Sequence, residues 1–172
     1  MREIRIAAEQ RNVGALTYHF GDLDGLLRAL LERELPLLVE RRRTLLAEAI
    51  DGDAWSVAAV FVLPFAEMAT GSEHERYVVQ FLSELHDDVS FSIEDIFELI
   101  GDTGAADAYQ LLRAQIADVT DEVLAERVRV GTNSYLHAAA IWARGRRRAH
   151  LVSDALFREN LVDMFLGSMV VR

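Results

Sequence analysis

The side chains best able to do chemistry in this chain are its 5 histidines and 28 carboxylates, and their spacing builds neither a metal centre nor a catalytic unit. His74-Glu75 opens as a zinc-protease helix would, but the position four after His74 is Val78, so the second imidazole is absent. No Glu stands three residues before a His, which removes the paired motif of di-iron bundles. His86-Asp87-Asp88 sets three potential ligands side by side, yet adjacent residues rarely converge on one ion, and the run reads as a solvated helix end. Cysteine is absent, so there is no thiol nucleophile. No Gly-rich loop is present to cradle phosphate, and no Ser sits in a nucleophile elbow. His137, amid Ala138 to Ile141, reads as a packed or pocket-edge histidine. The chain is expected not to be an enzyme and to need no metal or cofactor.

A second constellation suits contact rather than catalysis. Asn12-Val13-Gly14-Ala15-Leu16-Thr17-Tyr18-His19-Phe20 is a short helix of small and polar residues, followed by a turn at Gly21 and an acidic cap at Asp22. Gly14, Ala15 and Thr17 are small enough to let a helix backbone sit deep in a DNA major groove, with Thr17 reaching base edges. Tyr18 and His19 can donate to phosphates and fix the register of the helix. With Asn12 and Val13 these are the candidate DNA contacts. Leu16 and Phe20, four apart, also fit a short surface helix with an aromatic plug, and that reading stays open.

The helices that must position these residues follow from the apolar periodicity, and no alternating strand pattern competes with it. Helices are expected over Met1–Ala8, over Val13–Phe20 and from the Asp22 cap to about Ala49. Pro36 should kink that long helix or start its second segment. Asp51-Gly52-Asp53 breaks the chain before an apolar helix, Trp55–Thr70, interrupted by Pro64. After Gly71, Ser72 caps a helix from Glu73 to His86 that carries Tyr77, Phe81 and Leu85 at four-residue spacing. Phe91–Ile100 and Ala105–Ala117 follow. Thr120 caps a helix from Asp121 to about Arg146, and Ser153 caps the last, Asp154–Val171. Arg144 to Arg148 closes a helix, where cations complement the dipole. Arg41, Arg42 and Arg43 cover a full turn and cannot all face one way, so at least one lines the polar edge of the body.

Composition narrows the class. The 172 residues are 51% hydrophobic with only 2 prolines, which is ample for a core and leaves little for disorder. The lack of cysteine suits a reducing cytoplasm. No secretory leader opens the chain, and Val57 to Ala69 is short of the roughly 20 residues a bilayer span needs. A cytoplasmic protein with no membrane partner is expected. All 18 basic residues are arginine, the bias of a GC-rich bacterial genome. The net charge of −10 opposes general nucleic-acid binding. Its distribution is uneven, since residues 1–35 hold five Arg against six acids and the remainder carries −9.

The run from Asn12 to Leu27 resembles the recognition helix of TetR-family transcriptional regulators with the start of the next helix, and the order of the later helices is similar to that of the family body. The resemblance implies an all-α, TetR-like fold. Residues 1–35 would be a partial helix-turn-helix head and residues 36–172 a ligand-binding and dimerisation domain. It implies a homodimeric repressor that binds operator DNA and is released by a small-molecule effector. The last two long helices would pair with their copies, through Tyr135 and Trp142 on one and Leu161, Met164, Phe165, Ser168 and Met169 on the other. The effector site would lie among Phe61, Phe65, Tyr77 and Phe81, with Tyr135 and His137 as its polar groups, and would take a largely apolar, aromatic ligand. The family head has a further helix before the one at Met1–Ala8, so this chain reads as lacking it. Leu23 stands where the family usually has Lys, and Glu9 where it usually has Gly. The alternative expectation is a truncated dimeric ligand-binding protein that no longer binds DNA.

Overall fold

A computed structural model describes residues 14–49, 53–87, 103–116, 118–145 and 152–170, and within them every regular element is a helix. These are α1 (Ala15–Phe20), α2 (Leu23–Ala49), α3 (Ala54–Thr70), α4 (Glu73–Asp87), α5 (Ala105–Gln115), α6 (Asp121–Arg144) and α7 (Asp154–Met169). The helices expected at Met1–Ala8 and Phe91–Ile100 lie outside the described residues, as do Arg146 to Arg148.

Helix starts follow the polar residues that precede them. The Asp53 carboxylate accepts the Ser56 N–H at 2.9 Å. Ser72 and Glu75 form a reciprocal capping box, with the Ser72 hydroxyl accepting the Glu75 N–H at 3.3 Å and Glu75 accepting the Ser72 N–H at 2.7 Å. Those bonds hold the Glu75 carboxyl below its ordinary range. Thr120 and Ser153 cap α6 and α7 by accepting the Val123 and Leu156 N–H groups.

Neither proline ends its helix. Both α2 and α3 run unbroken through them, so Pro36 starts no second segment and Pro64 does not interrupt its helix. Pro36 is exposed, where water can serve the carbonyl it deprives of a partner, whereas Pro64 is buried among the helices around it.

Helix α3 explains the architecture. It is apolar on every side, and a helix of that kind has to be surrounded. It packs against α2, α4, α5, α6 and α7, with Val57, Ala58, Val60, Val62 and Ala66 wholly buried. Its alanines keep it thin enough for neighbours on several sides. Around it α4 packs on α6 and α6 on α7. Three ring contacts tie the centre together: Phe61 to Phe165 at 5.4 Å, Phe165 to Tyr135 at 5.6 Å and Tyr135 to Phe65 at 5.6 Å. Trp142 stacks on Phe157 at 4.0 Å and closes the far end of the α6–α7 seam.

Helix α2, 27 residues long, crosses residue 35, where the family resemblance would place a boundary between head and body. Its first turn carries α1, and its second half packs against α3 and α5. Arg41 makes a two-pronged ion pair with Glu67 of α3, both bonds 2.7 Å, which ties the body half of α2 to the central helix. No helix among the described residues is long and apolar enough to cross a membrane.

Candidate functional site

A cavity of about 730 Å³ lies beside α3, walled by α2, α4, α5 and α6. The volume is that of a pocket for a small organic ligand, which typically falls at about 300–1,000 Å³. Leu35, Leu38 and Val39 of α2 face Phe61 and Phe65 of α3, Leu82 and Leu85 of α4, and Val128 and Leu136 of α6. The exposed residues Ala106, Ala125 and Arg129 mark the side open to solvent.

The polar groups in this apolar wall are few and specific. Arg42 projects from α2 and is only 7% exposed. One guanidinium nitrogen, Nη1, donates to the Thr103 carbonyl at a long 3.4 Å, and Cζ stands 5.9 Å from the centre of the Phe65 ring. Its Nε is buried with no hydrogen-bond partner. Burial pushes the guanidinium below its ordinary value, with the nearby Tyr135 opposing that shift. Burial likewise raises the Tyr135 phenol, against the pull of Arg42 and of a hydrogen bond with Thr132. A guanidinium keeps its charge in proteins, and the raised Tyr135 phenol stays neutral at neutral pH. His86 is engaged by Asn133 of α6, and Arg129 by Glu126 through bonds of 2.8 and 2.6 Å.

Phe61, Phe65 and Tyr135 stand in the cavity wall. The other three residues expected there do not. Tyr77 is 63% exposed, because the buried face of α4 is Val78, Val79, Leu82 and Leu85, and Tyr77 lies on the opposite side. Phe81 packs against the rim of the core without reaching the cavity. His137 is exposed, one residue round the helix from the buried Leu136. Arg42, absent from the expected set, carried a legible signal: with Leu35, Leu38, Val39, Leu45 and Ala49 buried on α2, position 42 falls on that same apolar stripe.

The head helix α1 presents Gly14, Thr17, Tyr18 and His19 to solvent, with Tyr18 86% exposed. The Tyr18 and His19 rings meet edge to face at 5.2 Å. Ala15 begins the helix, while Asn12 and Val13 lie outside the described residues. Leu23, at the start of α2, is exposed.

Along the last two helices, Met164 and Ser168 are exposed and Trp142 is half-buried. Tyr135, Leu161, Phe165 and Met169 are buried in the core of the single chain, and Tyr135, Leu161 and Phe165 also reach the groove between the two helices. Val130 and Ser134 of α6 with Asn160, Met164 and Ser168 of α7 border a groove of about 440 Å³.

Among the described residues no three His, Asp or Glu side chains gather as a metal site would require. His74 instead meets Glu34 at 2.8 Å, and Arg144, the last residue of α6, pairs with Glu84. No protein-family model, curated protein or solved structure matches this chain.

Proposed function

We propose that this chain is a non-catalytic, ligand-responsive transcriptional repressor of the TetR type, acting as a homodimer on operator DNA. One observation carries the reading: a single continuous helix, α2, bears the exposed α1 head at its start and supplies Leu35, Leu38, Val39 and Arg42 to the cavity. A ligand filling the cavity bears directly on the helix that carries the head. In a dimer two heads must meet two half-sites at once, so a small shift of α2 in each chain changes their separation and releases the DNA.

Selection of duplexes from a random pool with the 172-residue chain tests this reading. Enriched sites should be two-fold symmetric, with half-site centres about 34 Å apart or a multiple of it. Affinity should fall steeply with salt, as it does wherever phosphate contacts dominate. Absence of enrichment supports the second reading, a dimeric ligand-binding protein without operator affinity. The exposed Leu23 between Asp22 and Asp24 favours that second reading, because this turn at the start of α2 offers DNA no cation of its own.

The dimer carries its own prediction. A second copy is proposed to cover the α6–α7 face, where Val130 and Met164 are 49% and 64% exposed and border the groove between the helices. Met164→Asp should give a folded monomer by sedimentation, with helical content unchanged. A Met164→Asp protein that remains dimeric places the interface elsewhere.

A further inference from the structure

We infer that the cavity takes an amphipathic carboxylate, with its carboxylate on Arg42 and its apolar, aromatic body against Phe61, Phe65 and Leu85. This deepens the repressor reading and rests on it only for the biological consequence of binding.

The argument starts from charge. The chain has 28 acids against 18 bases, yet among the described residues no Asp or Glu stands in the cavity wall. Arg42 has no carboxylate within ion-pair distance among the described residues. A buried charge normally sits beside a counter-ion with its donors filled. Arg42 has a long bond to a carbonyl, the face of Phe65 and an unpartnered Nε. A site of this composition is incomplete without an anion.

The kind of anion follows from the surroundings. Arg42 is the one buried cation in the described wall, since Arg129 is exposed and held by Glu126. A single guanidinium neutralises one charge, and its planar fork matches the two oxygens of a carboxylate. Phosphate would bring a second charge into a wall of Leu, Val and Phe with nothing to meet it. The Tyr135 phenol, neutral and close to Arg42, can donate to the same anion. The apolar remainder of the cavity accepts a hydrocarbon or aryl body.

Matched probes test the inference on the whole chain. Calorimetric titration with 4-biphenylacetic acid and with its amide separates charge from shape. At neutral pH the acid should bind at least about tenfold tighter than the amide, the usual weight of a charge-assisted bond in a dry site. In Arg42→Met that preference should vanish. The ligand-free Arg42→Met protein should also melt higher than the original, because an unpaired buried charge has been replaced by an apolar chain of similar length. Arg42→Gln provides a second variant with the same expected loss of preference. Equal binding of acid and amide by the original chain, a preference that survives both variants, binding of neither probe, or a lower melting point for Arg42→Met each overturns the inference. Neither titration contains DNA, so the two readings fail separately. Arg42-dependent acid binding with no operator complex sinks the repressor and keeps the carboxylate site. Release of operator DNA by acid and amide alike does the reverse.

Discussion

Replacing Phe165 with Ala should cost the fold about 3–5 kcal/mol, the range for deleting a buried aromatic ring. Phe165 is 3% exposed and contacts the rings of Phe61 and Tyr135. Its own ring lies over Gly131 of α6, where an added Cβ would stand 2.8 Å from two ring carbons. Gly131 has no side chain with which to refill the space a missing ring leaves, so the cavity persists and the cost falls toward the upper end. Urea unfolding followed by circular dichroism should show a lower midpoint with an unchanged slope. The thermal midpoint should fall by roughly 10 °C for a chain of this size. A loss below about 1 kcal/mol would mean that the α6–α7 seam collapses around the gap and is not the rigid centre its geometry suggests.

The same residue shows what the sequence could and could not reveal. From spacing alone, Phe165 and Met169 fit the outer face of a terminal helix as well as the inner one, because α7 is apolar on more than one side. Which side turns inward depends on where α3 and α6 lie, and that is a tertiary fact. Met164 and Phe165 differ by one position and about 100° around the helix. One is exposed and the other is central. An aspartate at 165 therefore probes the core, and one at 164 probes the surface.

Helix existence and capping were far more legible, because caps depend on residues close in sequence. Asp22, Ser72, Thr120 and Ser153 each stand at the helix start assigned to them. The cavity was legible in part. Phe61 and Phe65 lie on a helix so apolar that both had to be inside. On α4 the choice of Tyr77 and Phe81 gave weight to aromatic type, whereas the helix turns inward the face that carries Val78, Val79, Leu82 and Leu85. The Arg41–Arg43 triplet sends its members in different directions. Arg41 reaches Glu67, Arg42 enters the cavity and Arg43 is exposed. Composition could not choose among three identical residues. The leucine stripe on their own helix could have done so.

Helix α2 thus joins two regions of unequal stability. Its second half is locked by the Arg41–Glu67 pair and by Leu38, Leu45 and Ala49 in the core. Its first turn carries α1, which among the described residues has its substantial contacts with α2. Under the proposed function, α1 would be the head, and a displacement at the other end of α2 could reposition it cheaply, as release by a ligand requires.

That single contact makes Gly25→Ala the sharpest test of the head. The hydrogen of Gly25 faces the last residue of α1, and a Cβ there would stand 1.9 Å from the Phe20 carbonyl oxygen and 3.1 Å from its carbon. Both are backbone atoms, which cannot rotate aside as a side chain can. The turn around them is tight: Gly21, at φ 74°, donates to the Thr17 carbonyl at 2.9 Å, and Asp22 donates to the Phe20 carbonyl at 3.0 Å. Relieving the clash requires α1 to leave α2, and these bonds go with it. Hydrogen exchange at Tyr18, Gly21 and Asp22 should accelerate toward the rate of an open chain. In the proposed repressor, operator affinity should drop by roughly a hundredfold or more, toward the non-specific level. The thermal midpoint of the body and its affinity for a cavity ligand should hold, since neither depends on α1. Gly167→Ala is the matched control, because open space surrounds that position on α7 and the same methyl group should stabilise its helix by up to about 1 kcal/mol. Unchanged protection at Gly21 and Asp22 in Gly25→Ala would show that α1 is not seated on α2 through this contact, and the path from cavity to head would have to run elsewhere.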